Sequence, residues 1–137
     1  DPAPAKNLTP EFTQGIYMIT PNEMEATALT GIKIKDLSDI EKVATKLLGY
    51  GSQYVLITMG ANGVYLASQN NEFEYIPSPK VTTVDSTAAG DCFNGTLAVA
   101  ISQGLSVSEA AKKACIAASI SVTRKGAQDS MPFLNEL

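Results

Sequence analysis

The run YVLIT at Tyr54–Thr58 is apolar along its length, which suits a strand covered on both faces of a sheet. Its surroundings narrow the class further. Ile16–Thr20 (IYMIT) reads as a second short buried strand. Thr20-Pro21-Asn22-Glu23 then carries helix-start chemistry: Thr as N-cap, Pro at the first helical position and Glu three residues after the cap. That helix is expected to stop at Gly31. Ser38-Asp39-Ile40-Glu41 reads as another capping box, opening a helix whose Ile40, Val43, Ala44, Leu47 and Leu48 share one face. It ends at Gly49 or Gly51.

Gly60-Ala61-Asn62-Gly63 is turn chemistry between YVLIT and a strand at Val64–Ala67. Phe73–Ile76 alternates and is expected to form a hairpin with Val64–Ala67 across the polar SQNN turn. Val81–Val84 (VTTV) looks strand-like and leads into Asp85–Thr96, DSTAAGDCFNGT. The helix after it puts Phe93, Leu97 and Ile101 on one stripe and stops at Gly104. Ser106–Glu109 is a third capping box, starting an alanine-rich helix to about Val122 that suits close packing on several sides. The order is βα, αβ, a hairpin region and two adjacent helices. That predicts an α/β fold with a mainly parallel sheet and some antiparallel strands at one side. No internal repeat appears.

The 137 residues are one domain's worth of chain. A net charge of −4 with no long Lys or Arg run argues against nucleic acid and membrane surfaces as partners. The sequence as it stands shows no signal-peptide pattern and no apolar stretch long enough to span a bilayer. Cys92 and Cys115 sit in alanine-rich helical patterns and read as buried, reduced thiols of a cytoplasmic protein. There is no His, which removes Ser-His-Asp and Cys-His catalysis and His-based metal sites. Neither G-x-x-x-x-G-K-[ST] nor G-x-G-x-x-G occurs. Acid–base work falls to carboxylates or Lys. The opening DPAPAK, without an initiator Met, suggests an upstream portion.

Asp85–Thr96 places two alanines, a glycine and a carboxylate where a strand-like run gives way to a helix. First-turn N–H groups lack intrahelical partners, and the macrodipole adds partial positive charge there. Small side chains at Ala88, Ala89 and Gly90 would let an anion approach those amides, making an anion hole for a phosphoryl group. Asp91 would then point its carboxylate at the same place, able to position and deprotonate an attacking hydroxyl. A tight Gly-permitted turn, with Asp91 favoured by the dipole, accounts for the same residues. Thr58-Met59-Gly60-Ala61-Asn62-Gly63 is either a ligand-contacting loop after a buried strand or a plain hairpin turn. Asn22 and Glu25 are either functional or part of a solvated helix face. Thr123–Gln128 (TRKGAQ) ends the last helix with two cations, as a helix C-terminus favours.

Taken together, TPNEMEA, VLITMGANG, DSTAAGDCFNG and VTRKGAQDSMP, with the opening DPAPA, resemble the ribokinase family of carbohydrate kinases. The last two blocks are the specific ones, and the resemblance covers most of the chain. It implies the C-terminal, nucleotide-binding part (residues 1–137) of a single ribokinase-like domain, a three-layer α/β sandwich with a mainly parallel central sheet. The sugar-binding half and lid of that family are not in this sequence.

The activity implied is ATP-dependent phosphorylation of D-ribose at its 5-hydroxyl, in a whole enzyme that is a homodimer. A nucleotide-binding fragment without catalysis, or a kinase of another sugar or nucleoside, stands as the alternative. The resemblance makes Asp91 the catalytic base, also in contact with the sugar, and Ala88–Asp91 the anion hole. It puts Gly90, Asp91 and Thr58 to Gly63 along the nucleotide, Asn22 near its phosphates, and Glu25 in an N-x-x-E element that organises Mg²⁺ through water. Cys115 stands where the family often has a His near the adenine. Asp85, Thr87, Ser121, Arg124, Gly126 and Ser130 match positions that ring a monovalent cation, usually K⁺, largely through backbone oxygens.

Overall fold

A computed structural model of the chain describes residues 1–3, 5 and 13–137, so Pro4 of the DPAPA block lies outside the described residues. The chain divides into two compact units. The first comprises Asp1–Gly60 and Val64–Tyr75, the second Ala61–Gly63 and Ile76–Leu137.

The first unit carries β1 (Met18–Ile19), α1 (Glu23–Thr30), α2 (Leu37–Leu48), β2 (Tyr54–Thr58) and β3 (Val64–Ser68). β4 (Phe73–Ile76) completes a sheet of order β1-β2-β3-β4 and leads into the second unit at Ile76. β1 and β2 are parallel, with Met18 opposite Tyr54; β2 and β3 are antiparallel, in register from Tyr54–Ser68 to Thr58–Val64. Among the described residues parallel pairing is the β1–β2 pair, continued by an Asn22–Thr58 bridge, and β3 and β4 form the other side. At the turn between them Ser68 N–H donates to Glu72 O at 3.0 Å, and Asn71 takes a left-handed φ of 59°. The five expected apolar positions of α2 are all buried and meet Val55, Ile57, Tyr65 and Ala67 from the sheet. Leu56, Val64 and Leu66 are buried as well, so β2 has no wet face, as its composition required.

Both helix starts of this unit differ from expectation. Thr20 does not cap α1; Asn22 does, accepting from Glu25 N–H at 2.9 Å while Glu25 Oε2 accepts from Asn22 N–H at 2.8 Å. The reason is the sheet. Thr58 N–H donates to Pro21 O at 2.9 Å, and an isolated parallel bridge joins Asn22 to Thr58. Pairing with β2 therefore keeps the chain extended through Pro21 and moves the cap to Asn22, two residues past the expected one. At α2 the cap is Asp36 rather than Ser38: Asp36 Oδ1 accepts from Asp39 N–H at 3.1 Å and from the Ser38 hydroxyl at 2.7 Å. An anionic acceptor at the positive end of the helix is the stronger cap.

In the second unit, Val81–Val84 is not a strand. It is exposed chain with no ladder partner among the described residues, and only Val84 and Asp85 N–H find an acceptor, Val122 O. β-branched residues fit a pleated, half-buried surface, and here no such surface stands beside them. α3 (Ala89–Ser102) and α4 (Val107–Ser121) pack on each other across the short Gln103–Ser106 connection. Phe93 and Leu97 are buried as expected; Ala100 is buried too, while Ile101 is partly exposed. Ser106 and Glu109 form the expected reciprocal capping box. Ala110, Ala111, Ala114 and Ala117 are fully buried, the close packing that an alanine-rich helix permits. Cys92 and Cys115 are buried and unbridged. Desolvation raises both thiols, Cys115 to about 11, so they stay protonated at neutral pH.

Candidate functional site

The mouth of α3 is built from backbone. Ala88, its N-cap, sits in the left-handed region at φ 59° and ψ 16°, and no side chain caps the helix. Left-handed Ala is strained by about 1 kcal/mol, so the turn is held by its surroundings. Ala89 N–H closes onto Ser86 O at 3.2 Å and Cys92 N–H onto Ala88 O at 2.9 Å. The N–H groups of Ala88, Gly90 and Asp91 meet no acceptor among the described residues. A Cβ built on Gly90 would meet nothing within 4 Å, and its φ is not left-handed. The turn therefore does not require glycine at this position. What the missing side chain leaves is open space in the turn that carries the free amides. Asp91, in the same first turn, is exposed and takes no hydrogen bond or ion pair from the described residues.

Beside the mouth lies a polar knot. Asp85 Oδ1 accepts from Thr87 N–H at 2.9 Å and from its hydroxyl at 2.7 Å, while Oδ2 accepts from Gly126 N–H at 3.0 Å. These donors, Gly126 foremost, pull the carboxyl down to about 2. The structure thus unites three of the six residues expected around a cation. Ser121 and Arg124 adjoin each other through Arg124 N–H to Ser121 O at 3.1 Å. The hydroxyls of Ser121 and Ser130 donate to Ala118 O at 2.9 Å and Ala127 O at 2.8 Å. The Arg124 guanidinium pairs with Glu136 through both nitrogens, and Glu136 also accepts from Phe133 N–H at 2.7 Å. The knot itself presents the Asp85 carboxylate and the Thr87 hydroxyl, oxygen donors of the kind that suit a hard cation.

In the first unit the structure brings Asn22, Glu25 and Thr58 together. Asn22 bridges to Thr58 in the sheet and shares its capping box with Glu25. Glu25 is half of the box. One carboxylate oxygen is used there, and the other is left for a water-mediated contact such as the implied Mg²⁺ would need. The Met59 side chain is buried in the core, so backbone is what it presents. Gly60, Ala61 and Asn62 form an exposed single turn of 3-10 helix. Gly63 is structural: at φ +94° its Cβ would lie 2.1 Å from Ile76 O and 2.7 Å from Ser78 N. The Cys115 side chain is buried on α4, at the position that the resemblance sets near the base.

Three residues of this region escaped the sequence reading. Glu136 clasps Arg124, and Ser78 bonds Ser119 at 2.9 Å. A serine inside a run of buried alanines was the available signal for Ser119.

The fold is the α/β fold of the ribokinase-like carbohydrate kinases. A solved ribokinase from Thermotoga maritima matches it with a TM-score of 0.90 and 43% identity, covering 99% of this chain and 46% of that one. An Arabidopsis thaliana ribokinase solved with ribose and ATP matches at 0.88 and 33%, covering 93% and 41%. A curated ribokinase from Haemophilus influenzae is 42% identical over 99% of this chain and 44% of its own length. The model of the pfkB family carbohydrate kinases matches residues 1–134, and the chain belongs to that family. It spans less than half the length of these relatives.

Proposed function

We propose that this chain is the nucleotide-binding part of a kinase that transfers the γ-phosphoryl group of ATP to the 5-hydroxyl of D-ribose. One observation carries the reading: the uncapped mouth of α3, with free N–H groups at Ala88, Gly90 and Asp91, open space at Gly90 and an exposed Asp91 carboxylate in the same turn. Ribose and ATP are the ligands of the Arabidopsis ribokinase to which the chain is similar.

The amides and the helix dipole bind the phosphoryl group, whose charge is spread over its equatorial oxygens in the transition state. Donors fixed in place cost no reorganisation at that moment, and removal of one such donor elsewhere costs about 10²–10³ in rate. Asp91 accepts the proton of the attacking hydroxyl at its carboxylate and orients that hydroxyl in line. Small side chains on either side keep the approach open. Asn22 and Thr58 offer amide and hydroxyl groups to the nucleotide, and Gly60 to Gly63 offer backbone. Glu25 would hold Mg²⁺ through water, and the ion when bound would neutralise phosphate charge. Asp85, Thr87 and Gly126, with carbonyls of Ser121, Arg124 and Ser130, would hold a monovalent cation, which supplies fixed positive charge near the mouth.

Two measurements, each made on an intact kinase carrying this segment and on the segment alone, test this: calorimetry with ATP and a ribose-phosphorylation assay. Binding with turnover is expected of an intact kinase carrying this segment, and binding without turnover of the segment alone. In the intact kinase, Asp91→Asn should cut turnover by about 10²–10⁴ and leave ATP affinity nearly unchanged; full activity in that variant refutes the role of Asp91. Failure of both samples to bind ATP refutes the reading as a whole.

A further inference from the structure

The second unit holds a connection that phosphoryl transfer does not use. Ser119 lies near the C-terminal end of α4, buried beyond the fully buried Ala110, Ala111, Ala114 and Ala117. A hydroxyl there is costly unless both its proton and its lone pairs are engaged. Its proton goes back along the helix to Cys115 O at 2.7 Å. Its oxygen is 2.9 Å from the Ser78 hydroxyl. A hydroxyl has one proton, so with Ser119 donating to Cys115, Ser78 is the donor to Ser119.

Ser78 is in turn pressed against the Gly60–Asn62 turn's exit. At Gly63 a side chain would collide with Ile76 O, Ser78 N and Pro77 C, so the two backbones are in contact there and only glycine fits between them. The result is one continuous stack within the unit: Gly63, then Ile76 to Ser78, then Ser119 and the carbonyl of Cys115. Pro77 and Pro79 flank Ser78 and stiffen the middle layer. Backbone contact sets one spacing of the stack, and a buried hydroxyl pair sets the other.

We propose that Ser78 and Ser119 are positioning residues which fix the Ala61–Gly63 turn at a set spacing from α4, and so set where the base of a bound nucleotide lies. This rests on the nucleotide reading above, in which the phosphates belong to the mouth of α3 and the Gly60–Gly63 backbone lies along the nucleotide, and on the resemblance, which sets Cys115 near the base. Neither serine touches the reacting atoms. Loss of the pair should therefore act on the nucleoside and not on the phosphates.

The chain titrated with ATP, adenosine and tripolyphosphate tests this. Ser78→Ala should weaken ATP and adenosine by about two- to tenfold, the size of one lost hydrogen bond, and leave tripolyphosphate unchanged. Amide exchange at Asn62 and Gly63 should quicken. Ser78→Thr, which keeps the hydroxyl, should restore both. Ser119→Ala, a mild change in an alanine-rich helix, should reproduce the effect, and the double variant should lose no more than either single one. Unchanged adenosine affinity in a folded Ser78→Ala protein overturns the inference and leaves the proposed function standing. An equal loss for ATP and tripolyphosphate overturns it as well. If the unaltered chain binds none of the three ligands, the nucleotide reading falls and this inference falls with it.

Discussion

Asp85 and Gly126 are joined by a 3.0 Å hydrogen bond from backbone N–H to Oδ2, although they stand 41 residues apart in sequence. The bond ties the chain entering α3 to the chain leaving α4, and the same carboxylate holds Thr87. The left-handed Ala88 follows directly. A strained turn persists only where neighbours over-determine it, and Asp85 is that neighbour. Asp85→Ala should speed amide exchange at Thr87 and Gly126 several-fold and weaken phosphate binding at the α3 mouth. Exchange measured by mass spectrometry, with a phosphate titration alongside, checks both. Asp85→Asn, which keeps one acceptor oxygen, should fall between.

Gly90 separates a ligand site from a tight turn. Its Cβ position is open and its φ ordinary, so Gly90→Ala should leave the fold intact and raise stability by about 0.4–1 kcal/mol through loss of chain entropy in the unfolded state. The methyl group would stand in the turn that carries the free amides, so ATP affinity should fall. A melt and an ATP titration on the same variant decide it. A destabilised protein would mean that the turn itself needs the glycine.

Asn22 has a structural duty that must be separated from any contact with phosphates. Asn22→Ala removes the N-cap of α1 and should cost about 1 kcal/mol with no ligand present. Asn22→Asp restores the cap acceptor but adds a negative charge. If Asn22 faces the nucleotide phosphates, Asp at this position should recover the melting temperature and still bind ATP poorly. Recovery of both would assign Asn22 to capping alone.

The α4 capping box gives a pH signature. The hydroxyl and N–H of Ser106 hold the Glu109 carboxyl below its ordinary 4.5. A carboxyl depressed in the folded state stabilises above its unfolded value, and that contribution is lost as pH falls through the lower folded value. The chain should therefore lose stability as pH drops below about 4.5, in part through this box. Glu109→Gln keeps the hydrogen-bonding shape without the titration and should flatten that part of the curve, as read by urea unfolding from pH 6 to pH 3 (roughly the range in which carboxylates protonate).

The elements legible in the sequence were those whose signal is local. YVLIT came out as β2 to the residue, and the α2 stripe and the Ser106–Glu109 box stand as read, because periodicity and capping depend on neighbours three or four residues away. One error is local: the α2 cap is Asp36, two residues before the expected Ser38. The others depend on distant chain. Thr20 lost the cap of α1 because β2 holds Pro21 and Asn22 in an extended pairing. Val81–Val84 has strand composition and no strand beside it among the described residues.

The candidate site divides along the same line. DSTAAGDCFNG told by itself that a helix begins there, that small residues crowd its mouth and that a carboxylate joins them, since all of this is consecutive chain. Only the tertiary structure decided that Ala88 is left-handed, that Gly90 is open rather than packed, and that Gly63 is packed rather than open. The same holds for the meeting of Asp85 with Gly126 and of Ser78 with Ser119, each pair 41 residues apart. Conformation within one turn is governed by short-range sterics and hydrogen bonding, which the order of residues carries. Which empty volume is filled, and which buried hydroxyl finds a partner, depends on how separate elements pack, and that is settled only when the chain has closed on itself.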